Sequence, residues 1–248
     1  MPHPDASKPP DKFLITLPSL HIEGLIYGTP FVELNSTSYI TSTSGYTAKM
    51  TYSGKGWLSG DKNSVAATLY RDGEEKDVLY NAIGAWTKTL SFYKGPAKTN
   101  SSKTLVDKYD AAKSPGSQLA VRPVEEQHPL ESRRAWGKVA AAVAKGDMDA
   151  VGIEKGRIEQ AQRDLRAKEK GEGRVWERRY FSAVKGSDDV LEELGLKVGV
   201  SSDGDADQTG GLWRFDREKE KKVVEEGDPP KEEVERIEKE FLGQGDTV

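Results

Sequence analysis

Between residues 13 and 94 the apolar and β-branched side chains come only in short runs, and Gly, Asn, Ser or Pro closes each run. That pattern constrains the fold more than any other feature of the chain. The runs predict strands at Phe13–Thr16, His21–Tyr27, Phe31–Leu34, Ser38–Thr41, Thr47–Ser53, Ser64–Tyr70, Val78–Ala85 and Thr87–Tyr93. The breaks at Gly28-Thr29-Pro30, Ser44-Gly45, Gly60-Asp61 and Asp72-Gly73 are too short for the helical crossovers that parallel strands need. Glycines at 24, 54, 56 and 84 fall within or beside the runs, where they signal bulges or close backbone approach. The expected class is α+β: an antiparallel, strongly curved sheet forming a partial β-barrel, followed by C-terminal helices.

The remainder divides by composition. Residues 1–12 carry four prolines and read as a disordered lead-in. Residues 95–129 read as a loop, with a possible edge strand near Leu119–Val124. Residues 130–185 read as a helical subdomain. Its first helix spans 130–146, with Ala135, Val139, Ala142 and Val143 as an apolar stripe and Gly146 as its stop. Its central helix covers Glu154–Arg174, with an N-terminal turn near Asp147–Asp149. Residues 186–211 read as an acidic flexible loop, and 212–248 as charged helices broken at Pro229-Pro230. In the last of these, Val234, Ile237 and Phe241 are spaced to dock on the domain or on a partner.

The central helix has two faces. Ile158, Ala161 and Leu165 form a narrow apolar stripe. Lys155, Glu159 and Arg163 climb another side over roughly 12 Å. Two cations around one carboxylate can hold each other upright and grip a phosphate. The plain alternative is a solvated face, since Arg166 and Lys170 fall on the same side. Just beyond, Val175, Trp176, Tyr180 and Phe181 are interleaved with Arg174, Arg178 and Arg179. That mixture suits a membrane interface or a nucleic acid. The plain reading is that Trp176 and Phe181 pack on the barrel while the arginines face water.

Several chemistries find no support. Three scattered histidines and no cysteine leave no zinc set. Asp203, Asp205 and Asp207 alternate, but Gln208 and Arg214 stand where a calcium loop needs Gly and Glu. No nucleophile lies beside a base, no phosphate loop has the right spacing, and no cofactor is implied. The expectation is therefore a non-enzyme without metal. A formal net charge of -4 argues against nucleic acid and makes any membrane contact local. The polar N-terminus and the absence of cysteine and of long apolar runs lead to a cytoplasmic protein as the expectation.

The runs LITLPSLHIEGLIYGTPFVEL, SGKGWLSGDKNSVAATLY, HPLESRRAW and EKGRIEQAQRDLRAKEKGEGRVWERRYF, in that order, resemble the lipid-binding domain of the oxysterol-binding protein family. The resemblance covers about Phe13 to Phe181. It implies a β-barrel-like sheet around a lipid tunnel, with sterol and phosphatidylinositol 4-phosphate as ligands. It further implies lipid transfer between membranes and a peripheral location at endoplasmic reticulum and Golgi contacts. It places Lys155, Glu159 and Arg163 at the family's Lys-x3-Glu-x3-Arg positions, which contact the phosphoinositide head group. The family's Ser-His-His-Pro-Pro run is absent from this sequence. The expectation is that the chain corresponds to the C-terminal part of the domain only, through a truncated gene model or a shortened paralogue. The alternative function is a peripheral membrane or adaptor fragment that keeps phosphoinositide contact but transfers nothing.

Overall fold

A computed structural model describes residues 10–54, 61–114, 116–118, 120–184, 188–201 and 211–243. The chain forms two compact units, Met1–Ser117 with Val184–Leu212, and Gln118–Ala183 with Trp213–Val248.

The first unit is an antiparallel sheet of eight strands: β1 (Phe13–Ile15), β2 (Ser19–Glu23), β3 (Phe31–Ser42), β4 (Tyr46–Ser53), β5 (Ser64–Arg71), β6 (Tyr80–Ala85), β7 (Thr89–Lys94) and β8 (Leu105–Asp110). The order runs β1-β3-β4-β5-β6-β7-β8, with β2 also paired to β3. Among the described residues β1 and β8 do not pair, so the sheet is curved but open.

Two predicted strands, Phe31–Leu34 and Ser38–Thr41, are one strand. The break between them marks a kink: Ser36 adopts φ 74°, and its N–H bonds Asn35 Oδ1 at 2.6 Å. The kink divides β3 between two partners, β2 along Phe31–Asn35 and β1 along Ile40–Ser42. Left-handed backbone is uncommon outside glycine, and here it bends the sheet. The predicted strand His21–Tyr27 ends at Glu23, after which Leu25–Tyr27 is a 3-10 turn flanked by left-handed Gly24 and Gly28. Gly84 has φ 151°, and a Cβ there would lie 2.0 Å from the Thr89 carbonyl oxygen. Gly56 lies outside the described residues.

β8 corrects the loop expected over 95–129. Every one of its residues but the last is exposed, so it carries no apolar alternation to read. Its pairing shifts register between Phe92 and Tyr93, leaving Val106 as the extra residue of a bulge. The suggested edge strand near 119–124 is not formed among the described residues, where Val124–Glu126 is a 3-10 turn.

α4 (Asp189–Val198) corrects the acidic loop expected over 186–211. Asp188 caps it by accepting from the N–H groups of Val190 and Leu191. Its acidic residues face water while Leu194, 1% exposed, packs inward. The helix lies on β1 and β3, and Lys197 ties it to Asp72 at 3.1 Å. Residues 202–210, with the aspartate run, lie outside the described residues.

The second unit is helical. The helix expected over 130–146 is two pieces, α1 (Ser132–Ala135) and α2 (Gly137–Lys145), which meet at Trp136 (φ -99°, ψ 11°). α3 runs from Met148 to Glu172. Asp147 accepts from Ala150 N–H at its start, and Gly173 (φ 64°) closes it. After β9 (Phe181–Ala183) and β10 (Trp213–Phe215) come α5 (Arg217–Glu226) and α6 (Lys231–Leu242). Ile158 and Leu165 of α3 are buried, as are Ile237 and Leu242 of α6. The two helices pack together, Gln162 Nε2 donates to the Phe241 carbonyl at 2.6 Å, and Lys168 pairs with Glu240 at 3.0 Å. Of the stripe expected there, Ile237 is buried and Val234 and Phe241 are partly buried, with Leu242 added to it.

Candidate head-group face and apolar sheet wall

The apolar stripe of α3 is spent on α6, which fixes the rotation of the helix. Lys155 and Arg163 are consequently exposed and Glu159 partly so. Lys155 Nζ donates to Glu159 Oε1 in an i,i+4 ion pair. That bond and the charge of Lys155 hold the Glu159 carboxyl below its ordinary range, and Arg163 adds a smaller pull. The spacing of the three residues survives, but the carboxylate does not bridge two cations. Arg163 instead donates from Nε and Nη2 to Gln160 Oε1, at 3.2 and 3.1 Å. Gln160 in turn donates from Nε2 to Asp164 Oδ1 at 2.8 Å. Gln160 therefore positions the guanidinium, a role the sequence reading missed. Its signal was available in the i,i+3 step to Arg163 and the i,i+4 step to Asp164.

Chemically, the face holds one neutralised cation and one that keeps its charge. Among the described residues the hydrogen bonds of the Arg163 guanidinium go to the amide oxygen of Gln160 alone, so its fork retains donors for an anion. Lys155 can turn from Glu159 to a phosphate at small cost, because both side chains are solvated.

The sheet supplies a wall. Pairing register puts Ile40, Ala48, Met50, Ala67, Leu69, Ala82 and Phe92 on one face. The opposite face of the same strands presents Thr41, Thr47, Lys49, Thr51, Thr68 and Asn81. Side chains alternate across a strand, so the two faces differ along the middle of the sheet, although Tyr39, Tyr70, Ile83 and Tyr93 share the more polar face and Ser38, Lys94 and Asp107 the more apolar one. On the apolar face a trough of about 380 Å³ is lined by Ala48, Ala67, Leu69, Ala82, Phe92 and Val106, among others. Ala82 is buried, and the other apolar residues of the face, including Ile40, Met50 and Phe92, remain half-exposed. At the head of β3, Glu33 is buried, accepting from the N–H groups of Asn63 at 2.9 Å and Leu34 at 3.2 Å. A Cβ on Gly54 would lie 2.7 Å from its Cγ, so the glycine there gives the carboxylate room.

Among the described residues no cluster of three or more His, Cys, Asp or Glu could hold a metal. His128 Nδ1 accepts from Leu130 N–H at 3.2 Å. Burial, with help from Arg179, lowers its pKa from the ordinary 6.5. No helix among the described residues is long and apolar enough to cross a membrane.

A family model described as oxysterol-binding protein matches residues 4–142. Protein kes1 of Schizosaccharomyces pombe is 39% identical over 181 residues, 73% of this chain and 46% of that protein. The oxysterol-binding protein homolog C354.07c of the same yeast is 37% identical over 190 residues, 76% of this chain and 46% of that protein. This chain spans about half the length of the curated relatives it matches. Among solved structures, the Osh1 ORD domain in complex with cholesterol superposes with a TM-score of 0.56 at 15% identity, over 99% of this chain and 55% of that one. The same domain in complex with ergosterol gives 0.57 at 15% identity and the same coverage. A curved antiparallel sheet with helices after it is the shared fold, and the chain belongs to the oxysterol-binding protein family.

Proposed function

We propose that the chain binds a sterol against the apolar face of its sheet and a phosphatidylinositol 4-phosphate head group at Lys155, Glu159 and Arg163. In this reading it moves such lipids between membranes, acting in the cytoplasm as a peripheral protein at endoplasmic reticulum and Golgi contacts. It binds its ligands without covalent chemistry. The observation that carries the reading is the apolar face of β3–β7, which stays half-exposed and carries an apolar trough. A water-soluble protein leaves such a surface open where something apolar is to cover it. The sterol-bound relatives of the same fold support a sterol as the occupant. The charge retained by Arg163 supports an anionic head group.

One observation favours a second reading, a transfer-incompetent peripheral or adaptor fragment. The sheet is open between β1 and β8 among the described residues. At about 25 cal/mol per Å², roughly 100 Å² of sterol left in water costs about 2.5 kcal/mol, more than a decade in affinity. Fluorescent-sterol movement between donor and acceptor vesicles decides. Transfer above the spontaneous rate, with sterol recovered bound to the protein, upholds lipid exchange. Vesicle binding with no sterol extracted would replace it with the adaptor reading.

A further inference from the structure

Neither the α3 face nor the sheet wall uses the aromatic and basic residues of 174–181. Their base is firmly held. β9 pairs antiparallel with β10, and Phe181 meets Phe215 edge to face at 5.8 Å. The Arg178 guanidinium lies 3.3 Å from the ring centre of Trp213. Lys219 Nζ donates to the carbonyls of Arg178 and Phe181, at 3.1 and 3.2 Å. Ser182 Oγ donates to Asp216 Oδ2 at 2.6 Å, and Asp216 caps α5.

On this rigid base the apolar tips stand in water. Val175 is 84% exposed and Trp176 51%, which reverses the expectation that Trp176 is covered and only the arginines are solvated. Beside them lies a cleft of about 330 Å³ lined mostly by apolar surface, with His128 and Leu130 on one side and Arg178 and Arg179 among its lining. Arg174 is paired with Glu172 at 3.2 Å. Among the described residues Arg178 and Arg179 form no ion pair; with Glu177 counted, residues 174–181 carry a formal charge of +2, and Glu131 also lines the cleft. Exposed aromatic and aliphatic tips beside guanidinium groups outside any ion pair match the two halves of an anionic lipid surface, acyl boundary and phosphate. The same geometry argues against a nucleic acid. Arg178 already covers Trp213, and Phe181 and Phe215 are turned edge to face, so few ring faces remain for bases to stack on.

We propose that residues 174–181 form a membrane contact distinct from the α3 face. Val175 and Trp176 enter the boundary of an anionic bilayer, and Arg178 and Arg179 meet its phosphates. The test uses the full chain and phosphatidylcholine vesicles with or without phosphatidylserine, free of sterol and phosphoinositide. The wild type is expected to sediment with the serine-lipid vesicles, and the Val175→Asp, Trp176→Asp double variant to lose roughly tenfold or more of that binding. Both positions are exposed, so unchanged far-ultraviolet circular dichroism and melting are expected. Arg178→Gln with Arg179→Gln should abolish the preference for phosphatidylserine. The absence of phosphoinositide from these vesicles keeps this contact separate from the head-group proposal. Lipids brominated in the upper acyl chain should quench wild-type fluorescence more than that of Trp176→Phe. Equal vesicle binding by the double aspartate variant, or equal quenching of Trp176→Phe, would overturn the proposal. So would a patch-dependent affinity for single-stranded oligonucleotide without one for vesicles.

Discussion

At the residue scale the two cations of the α3 face differ in what holds them. Lys155 is occupied by Glu159, whereas Arg163 is merely steadied by Gln160. Arg163→Ala should therefore weaken binding to phosphoinositide vesicles by roughly ten- to a hundredfold. Lys155→Ala should cost less, since releasing the lysine from its carboxylate offsets part of its gain on phosphate. Flotation with and without phosphoinositide measures both, and equal binding by wild type and the double variant returns the face to plain solvated surface. His128 gives a second prediction. Its folded pKa lies below 6.5, so below that pH the unfolded chain takes up more protons than the folded one. Stability then falls as the pH drops through the ordinary imidazole range, and it is unaffected by His128 well above it. The Leu130 N–H directed at Nδ1 acts in the same sense, because it needs that nitrogen unprotonated. Melting temperatures of wild type and His128→Asn between pH 7.5 and pH 5 should diverge in slope, the wild type falling more steeply.

At the scale of elements, much of the sheet was legible and its margins were not. Strands β4 to β7 have an apolar face, so alternation and glycine punctuation located them to within a residue or two. β8 has no buried face, and α4 hides Leu191 and Leu194 among acidic residues, so local composition described both as loop. The kink in β3 was legible as a break but not as a bend, because Asn35-Ser36 signals a left-handed residue without saying that pairing resumes beyond it. The site was half legible. Helical spacing placed Lys155, Glu159 and Arg163 on one side, whereas the choice of Gln160 over Glu159 as partner to Arg163 depends on side-chain geometry. Two glycines test this level with opposite signs. Gly84→Ala must place a Cβ 2.0 Å from a carbonyl oxygen at φ 151°, and the backbone alone should cost about 1–3 kcal/mol. Gly152→Ala, in α3 with open space around it, should stabilise by up to about 1 kcal/mol. Urea unfolding reads both, and a neutral Gly84→Ala would mean that the β6–β7 turn is not as tight as described.

At the scale of the whole molecule the open sheet sets the behaviour. β1 and β8 each present an outer edge without a partner among the described residues. Leu105, Val106 and Tyr109 of β8 are exposed. Unpaired edges template association, and a half-exposed apolar face adds a driving force proportional to its area. The chain of 248 residues is therefore expected to self-associate in dilute buffer, with a mass by light scattering that rises with concentration. Sterol and a second copy would compete for the same apolar face. Delivering sterol from cyclodextrin should then lower the average mass, and should raise the melting temperature by the linkage of ligand to the native state. Edge pairing has a different chemistry, and Leu105→Lys, at an exposed β8 position outside the trough, should reduce association whether sterol is present or not. A concentration-independent monomer with a single cooperative melt, unmoved by sterol, would show that the edges and the wall are already satisfied. It would then remove the apolar face as the place where lipid binds.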